Sequence, residues 1–371
     1  MRVQSPIRVT RWNVMLHFHT WFVALVVFAA SADASPDGSR FVDAGAHAVT
    51  VELDTWHDAA RQRDVPVKLY VPDGDHRLPV VLFSHGLGGT RDAAGYLGEH
   101  WASHGYLVVA MQHAGSDDAV WRGAPPDRRM RRMREATQRI QPALDRMGDA
   151  GFVLDELERL ADDVAGGPGW ADRLDLDRVA MAGHSFGAWT TLAVGGRTMG
   201  THRARGGAGV RRADPRIDAL LPLSPPPPKA GEDADAAFGS ITLPIMVMTG
   251  SLDDSPLTGA TADGREAVFD HLNGSGGGGG EGEGGGEGQG GPAYLVYLEG
   301  GDHAVFGGSR RWRGGGAAGD PSLDPTFHAV IRAASLAFLE AHLRGDAGAA
   351  AWLEGGGPSA VAPRRVRFEV K

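Results

Sequence analysis

Ser185 stands between two glycines in Gly183-His184-Ser185-Phe186-Gly187, directly behind the apolar run Val179-Ala180-Met181-Ala182. Glycine two places either side of a serine suits a very tight strand-to-helix turn, because bulkier side chains would collide there. Such a turn lifts the serine hydroxyl clear and sets it at a helix N-terminus, where backbone N–H groups favour developing negative charge. The chemistry this suggests is nucleophilic attack by Ser185 on a carbonyl carbon.

A serine nucleophile needs a base, the base needs an orienting acid, and the reaction needs two backbone donors for the oxyanion. Ser84-His85-Gly86-Leu87-Gly88-Gly89 follows an apolar run ending at Phe83, and its glycines let backbone approach a substrate closely. The N–H groups of Leu87 and Phe186 are the expected oxyanion donors. One known chain order runs serine, then Asp or Glu, then histidine. Thr249-Gly250-Ser251-Leu252-Asp253-Asp254 supplies the acid, with Asp253 expected and Asp254 the runner-up. Gly300-Gly301-Asp302-His303 places His303 in a glycine-rich loop before the last long helix, as the expected base, with Asp302 shaping the loop.

The other histidines carry less. His85 reads as structural, and His184 should turn away from the hydroxyl. His100 and His104 stand four apart on a predicted helix but lack the glutamate of H-E-x-x-H and a third ligand. They read as helix-surface residues. His113 with Asp117 is a weaker pair, so no metal and no cofactor is expected. Asp117, Trp121 and the arginine-rich stretch around them are candidates for shaping a substrate pocket.

These residues need elements to position them. Residues 47–53 and 65–71 alternate and predict an antiparallel pair of half-exposed strands. Residues 79–83, 106–111, 179–182 and 243–248 are continuous apolar runs, the pattern of strands buried on both faces. Residues 217–223 and 294–298 add two more strands. Helical spacing marks 91–104, 149–164, 187–194 and 325–343. Strands alternating with helices predict an α/β fold with a mostly parallel central sheet covered on both faces. In such sheets the site lies beyond the carboxyl ends of the strands. The serine, acid, base and oxyanion-donor candidates all follow strands in this way. The stretch from Gly345 to Lys371 suggests a small helix and an edge strand.

The chain has 371 residues, 42% of them hydrophobic, enough for a large core, and a formal charge of -9. That acidity argues against general nucleic-acid binding, which needs a basic footprint. There is no cysteine, so disulfides, thiolate nucleophiles and cysteine metal sites are excluded. Residues 1–34 read as a signal peptide, with Arg2, Arg8 and Arg11 before the apolar run Trp21 to Ala30 and an A-x-A cleavage pattern after it. That predicts export, with an N-terminal membrane anchor as the alternative. Cleavage after Ala34 removes three arginines and Asp33, which takes the formal charge from -9 to -11. Residues 35–371 then form one domain with two unusual stretches. Residues 122–146 are rich in arginine and methionine, a solvated face or a lid over the site. Residues 274–291 are nearly all glycine and cannot pack a core.

The segments "PVVLFSHGLGG" (79–89), "YLGEHWASHGYLVV" (96–109), "VAMAGHSFGAW" (179–189), "MTGSLDDSP" (248–256) and "GGDHAVFGG" (300–308) resemble the α/β-hydrolase fold. The resemblance is to its dienelactone-hydrolase-like and platelet-activating-factor-acetylhydrolase-like branch. It implies a serine ester hydrolase without cofactor, acting on a small-molecule or lipid ester through an acyl-enzyme. Ser185 would be the nucleophile, His303 the base, Asp253 the acid, and Leu87 and Phe186 the oxyanion donors. The animal acetylhydrolases place their acid after the preceding strand, where this chain reads Leu221-Pro222-Leu223-Ser224-Pro225, without one. Dienelactone hydrolases use a cysteine nucleophile, which this chain lacks. The same triad serves peptidases and amidases, and a binding protein on a hydrolase scaffold is the third reading.

Overall fold

A continuous apolar run becomes a central strand when both of its faces are covered, and Leu78–Ser84 is buried at all seven positions. The structure, a computed structural model, describes residues 38–163, 166–202, 209–255, 257–273, 290–308 and 318–371. The proposed leader, 1–34, and most of the glycine-rich stretch, 274–289, lie outside them.

Among the described residues nine strands form the main sheet. They are β1 Val49–Asp58, β2 Arg63–Pro72, β3 Leu78–Ser84, β4 Leu107–Met111, β5 Leu174–His184, β6 Ala219–Leu223, β7 Ile245–Leu252, β8 Ala293–Asp302 and β9 Val366–Val370. Their spatial order is β1-β2-β4-β3-β5-β6-β7-β8-β9. The stretch from β4 to β8 is parallel, and β2 on one side and β9 on the other join antiparallel. The sheet is therefore the expected α/β arrangement. Six of its strands, β1, β2, β3, β5, β7 and β8, run longer than the stretches read from sequence.

The helices that matter for the site are α1 Gly95–Ser103, α2 Pro126–Thr137, α3 Gln141–Asp162, α4 Phe186–Val194, α5 Ala262–Asp270, α6 His303–Gly307 and α7 Asp324–Leu343. Side chains alternate across the sheet. Val81 and Phe83 therefore pack with Leu97 and Trp101 of α1 and Phe327, Ile331 and Phe338 of α7. Val80 and Leu82 pack on the other side with Val153, Leu154 and Leu157 of α3, Leu192 of α4 and Val268 of α5. No helix of the described residues is long and apolar enough to cross a membrane.

Two expectations need revision. His100 is not a helix-surface residue. It is buried at 4% exposure, with its Nε2 donating to the Phe41 carbonyl at 3.0 Å. The short helix Ser39–Val42 covers that side of α1, a contact between distant segments that spacing on one helix does not report. The helix expected over 149–164 begins earlier, at Gln141, so the last residues of the arginine-rich stretch belong to a core helix. The C-terminal stretch forms two short helices, Ala347–Glu354 and Gly357–Val361, before edge strand β9.

The β3 order fixes where the sheet's crevice opens. From β3 the chain crosses to β4 on one side, and β5 lies on the other. This is a topological switch point, where loops diverge and leave room for a ligand. Leu82→Ala in this strand should lower the unfolding free energy by about 2–5 kcal/mol in urea titration. Ile140→Ser, at a position 75% exposed, should stay within about 0.5 kcal/mol of the parent chain.

Candidate active site

Ser185 is the single residue between β5 and α4 and carries φ +57° and ψ -112°. A non-glycine residue there costs about 1–3 kcal/mol and persists only where its surroundings hold it. Here its N–H donates to the Leu223 carbonyl at 2.9 Å, and its carbonyl accepts from Trp189 N–H at 3.1 Å. The flanking glycines are required by space. A Cβ at Gly183 would stand 2.4 Å from Gly187 backbone, and one at Gly187 would stand 1.8 Å from the Ser84 carbonyl oxygen.

The strand ends step across the sheet in register. Ser84 is opposite Gly183, His184 opposite Leu223, and Leu223 opposite Met248. The loops after β5, β6, β7 and β8 therefore converge. His303, the first residue of α6, lies with Nε2 3.0 Å from Ser185 Oγ. Its Nδ1 is 2.6 Å from Asp253 Oδ1. The three expected residues thus form one hydrogen-bonded chain. Asp254 is outside it: it is exposed and accepts from Ala262 N–H at 3.0 Å at the start of α5. Asp302 accepts from Ala304 and Val305 N–H and so shapes the start of α6.

Asp253 is completely buried and held at both oxygens. Thr249 Oγ1 donates to Oδ2 at 2.9 Å, and Ser224 Oγ donates to Oδ1 at 2.8 Å. Arg265 Nε lies 3.1 Å from Oδ1 and donates to the Asp253 carbonyl at 2.8 Å. Burial alone would raise the Asp253 pKa, but Arg265 and then His303 outweigh it and hold the carboxyl below its usual range. Ser224 Oγ is also 2.7 Å from His303 Nδ1, so that ring N–H is shared between the carboxylate and the hydroxyl. Ser224 and Arg265 were missed from sequence. The one available signal was Ser224's place at the end of β6, where the acetylhydrolase pattern expects an acid. Nothing in the spacing pointed to Arg265.

Leu87 lies in the loop after β3, and Phe186 follows the serine. Neither N–H has a hydrogen-bond partner among the described residues. The loop is tied down around Leu87. Gly88 N–H donates to the Ser116 carbonyl at 2.8 Å, and Gly89 N–H donates to the Gly86 carbonyl at 3.1 Å. Trp121 Nε1 donates to the Gly88 carbonyl at 2.8 Å. His85 is committed to structure. Its Nε2 accepts from His113 N–H at 3.1 Å, so its proton is on Nδ1, which donates to the Gly86 carbonyl at 2.6 Å. Burial and then Arg146 push its pKa well down, so it stays neutral. His184 Nε2 donates to the His303 carbonyl at 3.0 Å, turned away from the serine.

Helix α2 borders this loop. Met133 is buried and faces Gly88, and Arg129 lies over the Trp121 ring at 5.4 Å. Arg128, Arg131, Arg132 and Arg134 are exposed on its outer side. Asp117 is buried at the end of the same loop region and accepts from Gln112 Nε2 at 2.9 Å. The His113–Asp117 pairing considered from sequence is absent: His113 Nδ1 is 2.9 Å from Asp149 Oδ2 instead. Among the described residues no group of three or more His, Cys, Asp or Glu converges as metal ligands. A polarised hydroxyl beside two free, fixed N–H donors can attack a carbonyl carbon and hold the resulting oxyanion.

Residues 62–124, from β2 through this loop, match the model of the family described as platelet-activating factor acetylhydrolase, isoform II. The chain is 28% identical over 152 residues to platelet-activating factor acetylhydrolase of Cavia porcellus, 34% of this chain and 34% of that one. It is 29% identical over 144 residues to the Canis lupus familiaris protein of the same name, 31% of each chain. It is 25% identical over 186 residues to cutinase est1 of Thermobifida alba, 50% of this chain and 46% of that one. The chain thus spans about a third to a half of the length of the curated relatives it matches.

The buried histidines predict acid sensitivity. Burial, with Arg146 second, lowers His113 to about 4, and burial, with His303 second, lowers His184 to about 3. Both are neutral when folded but protonate near 6.5 in the unfolded chain. The stability they lend is full above that value and is lost as pH falls towards 4. Asp149 adds a second loss: its folded pKa is depressed by His113 and Arg63 against burial, so its contribution fades below about 3.9. Unfolding free energy measured between pH 7.5 and 4 should fall below pH 6.5, by about 1.4 kcal/mol per pH unit for each proton taken up. A flat profile over that range would contradict the neutral, buried assignment.

Proposed function

The chain is an α/β hydrolase of the lipase and esterase branch, and from that premise we propose that it is a serine hydrolase of carboxylic esters. The observation that carries the reading is the unbroken relay from Ser185 Oγ to His303 at 3.0 Å and from His303 to Asp253 at 2.6 Å. It ends beside two unpartnered backbone donors. The printed names of the matched relatives, an acetylhydrolase and a cutinase, support ester over amide substrates.

In this reading His303 Nε2 takes the Ser185 proton as Oγ attacks the ester carbonyl carbon. Asp253 keeps the ring's proton on Nδ1 and stabilises the positive charge it gains. Leu87 and Phe186 N–H receive the oxyanion, each worth roughly 2.7–4 kcal/mol at the transition state if well aimed. The tetrahedral intermediate collapses by breaking the bond to the alkoxy oxygen, which takes the proton from His303. Water then attacks the acyl carbon as His303 takes its proton. The second tetrahedral intermediate collapses by breaking the bond to Ser185 Oγ, which takes the proton back from His303 as the acid leaves. The substrate is a small-molecule or lipid ester. The reading takes 35–371 as one catalytic domain behind a cleaved export leader at 1–34.

Hydrolysis of p-nitrophenyl esters from acetate to palmitate tests this. Ser185→Ala should lower kcat/KM by about 10³-fold or more and abolish fluorophosphonate labelling. Asp253→Asn should cost on the order of 10²–10⁴-fold, while Asp254→Asn should stay within about twofold. Turnover that survives Ser185→Ala would overturn the reading. Cleavage of amides with no ester turnover would redirect it to a peptidase or amidase.

A further inference from the structure

Arg146 closes a stretch in which Arg128, Arg131, Arg132 and Arg134 are exposed, yet it has no exposed surface at all. It projects from the second turn of α3 towards the loop after β3. Its Nε donates to Ser116 Oγ at 2.8 Å. Its Nη1 donates to Ser84 Oγ at 3.1 Å and to the His85 carbonyl at 2.6 Å. Its Nη2 reaches the Gly86 carbonyl at 3.5 Å and touches His85 Nδ1 at 3.3 Å. Its guanidinium lies 4.3 Å from the centroid of the Phe186 ring. One side chain therefore grips both segments that carry the free N–H groups: Gly86 directly precedes Leu87, and Phe186 is itself the second donor. Ser116, which it also holds, accepts Gly88 N–H on the far side of Leu87.

Every one of these partners is neutral. Asp149 is one helical turn away, but its oxygens are engaged by Arg61, Arg63 and His113. The link from Arg146 to Asp149 runs through Ser84 Oγ, at 3.1 Å, and then His113, with the last two steps 2.9 Å each. The charge is thus buried with its compensation two neutral groups away. A buried cation is costly to keep, and a methionine of similar length would fill the same volume. Its positive field falls on the pair of N–H groups, in a medium where charges are weakly screened.

We propose that Arg146 is the positioning residue of the oxyanion site, setting the spacing of the Leu87 and Phe186 donors and adding positive potential behind them. This rests on the ester-hydrolase reading above. The contribution grows only as negative charge develops on the substrate carbonyl oxygen, so it acts on the transition state more than on bound substrate. Lysine would keep the charge but, as a point donor, could not hold Ser84, Ser116 and the His85 carbonyl while stacking on Phe186.

The test is p-nitrophenyl acetate kinetics of Arg146→Met and Arg146→Lys, with affinity for a trifluoromethyl ketone that forms a tetrahedral oxyanion on the serine. Arg146→Met should lower kcat about 10- to 100-fold, with KM within about threefold, and weaken the ketone by a matching factor. Arg146→Lys should recover part of both. Unchanged kcat in a folded Arg146→Met protein overturns the proposal. So does a fall in kcat that ketone affinity does not follow, the pattern of a purely structural residue. If Arg146→Met does not fold, Arg146→Lys and Ser116→Ala carry the test: lowered kcat at unchanged KM supports the role, and parental kcat in both overturns it. Ser185→Ala runs alongside. Turnover surviving that change removes the esterase reading itself, whereas its loss with intact Arg146 variants removes only the role of Arg146.

Discussion

The contact between Gly187 and the Ser84 carbonyl governs the geometry of the site. A side chain at 187 would have to stand 1.8 Å from that oxygen, so the start of α4 can press directly on the end of β3. That approach brings the serine turn against the loop bearing Leu87. It also holds Ser185 at φ +57°, a conformation the isolated chain would leave. The strain is sustained by the sheet: Ser185 N–H is tied to the end of β6, and Ser84 is paired with Gly183 across β3 and β5. Stability from the core thereby holds one unfavourable backbone conformation at the candidate nucleophile.

Two buried arginines divide the electrostatics around that turn. Arg265 lies against Asp253 and keeps the carboxylate ionised despite its burial. Arg146 lies on the opposite side, under the loop after β3, with only neutral groups in contact. The histidines between them stay neutral because burial and neighbouring cations both disfavour their charged forms. His303 differs in facing the serine on one side and a carboxylate on the other. Among the described histidines, His303 is the one that joins the serine hydroxyl to a carboxylate.

Much of this was legible in the chain. The apolar runs marked the parallel strands, because a strand covered on both faces has nowhere to put polar residues. The glycine spacing marked the serine turn. The candidate residues were legible because each follows such a run, and loops at one edge of a parallel sheet must meet. The choice between Asp253 and Asp254 was not: adjacent residues in a loop point in different directions, and only the strand ends decide which turns inward. Ser224, Arg265 and Arg146 were hidden for a related reason. Their partners are 29 to 79, 12 to 41 and 30 to 62 positions away in the chain.

The sequence by itself determined the α/β class, the tight turn at Ser185 and the set of loops from which chemistry could come. These follow from local physics: apolar periodicity, the steric freedom of glycine, and the rule that carboxyl ends of parallel strands share one edge. Tertiary structure alone decided which acid meets His303, which histidines are buried and neutral, and which arginine of a charged run turns inward. Those outcomes depend on distances between residues far apart in the chain. A charged residue reads the same in sequence whether its helix faces water or the back of the serine turn.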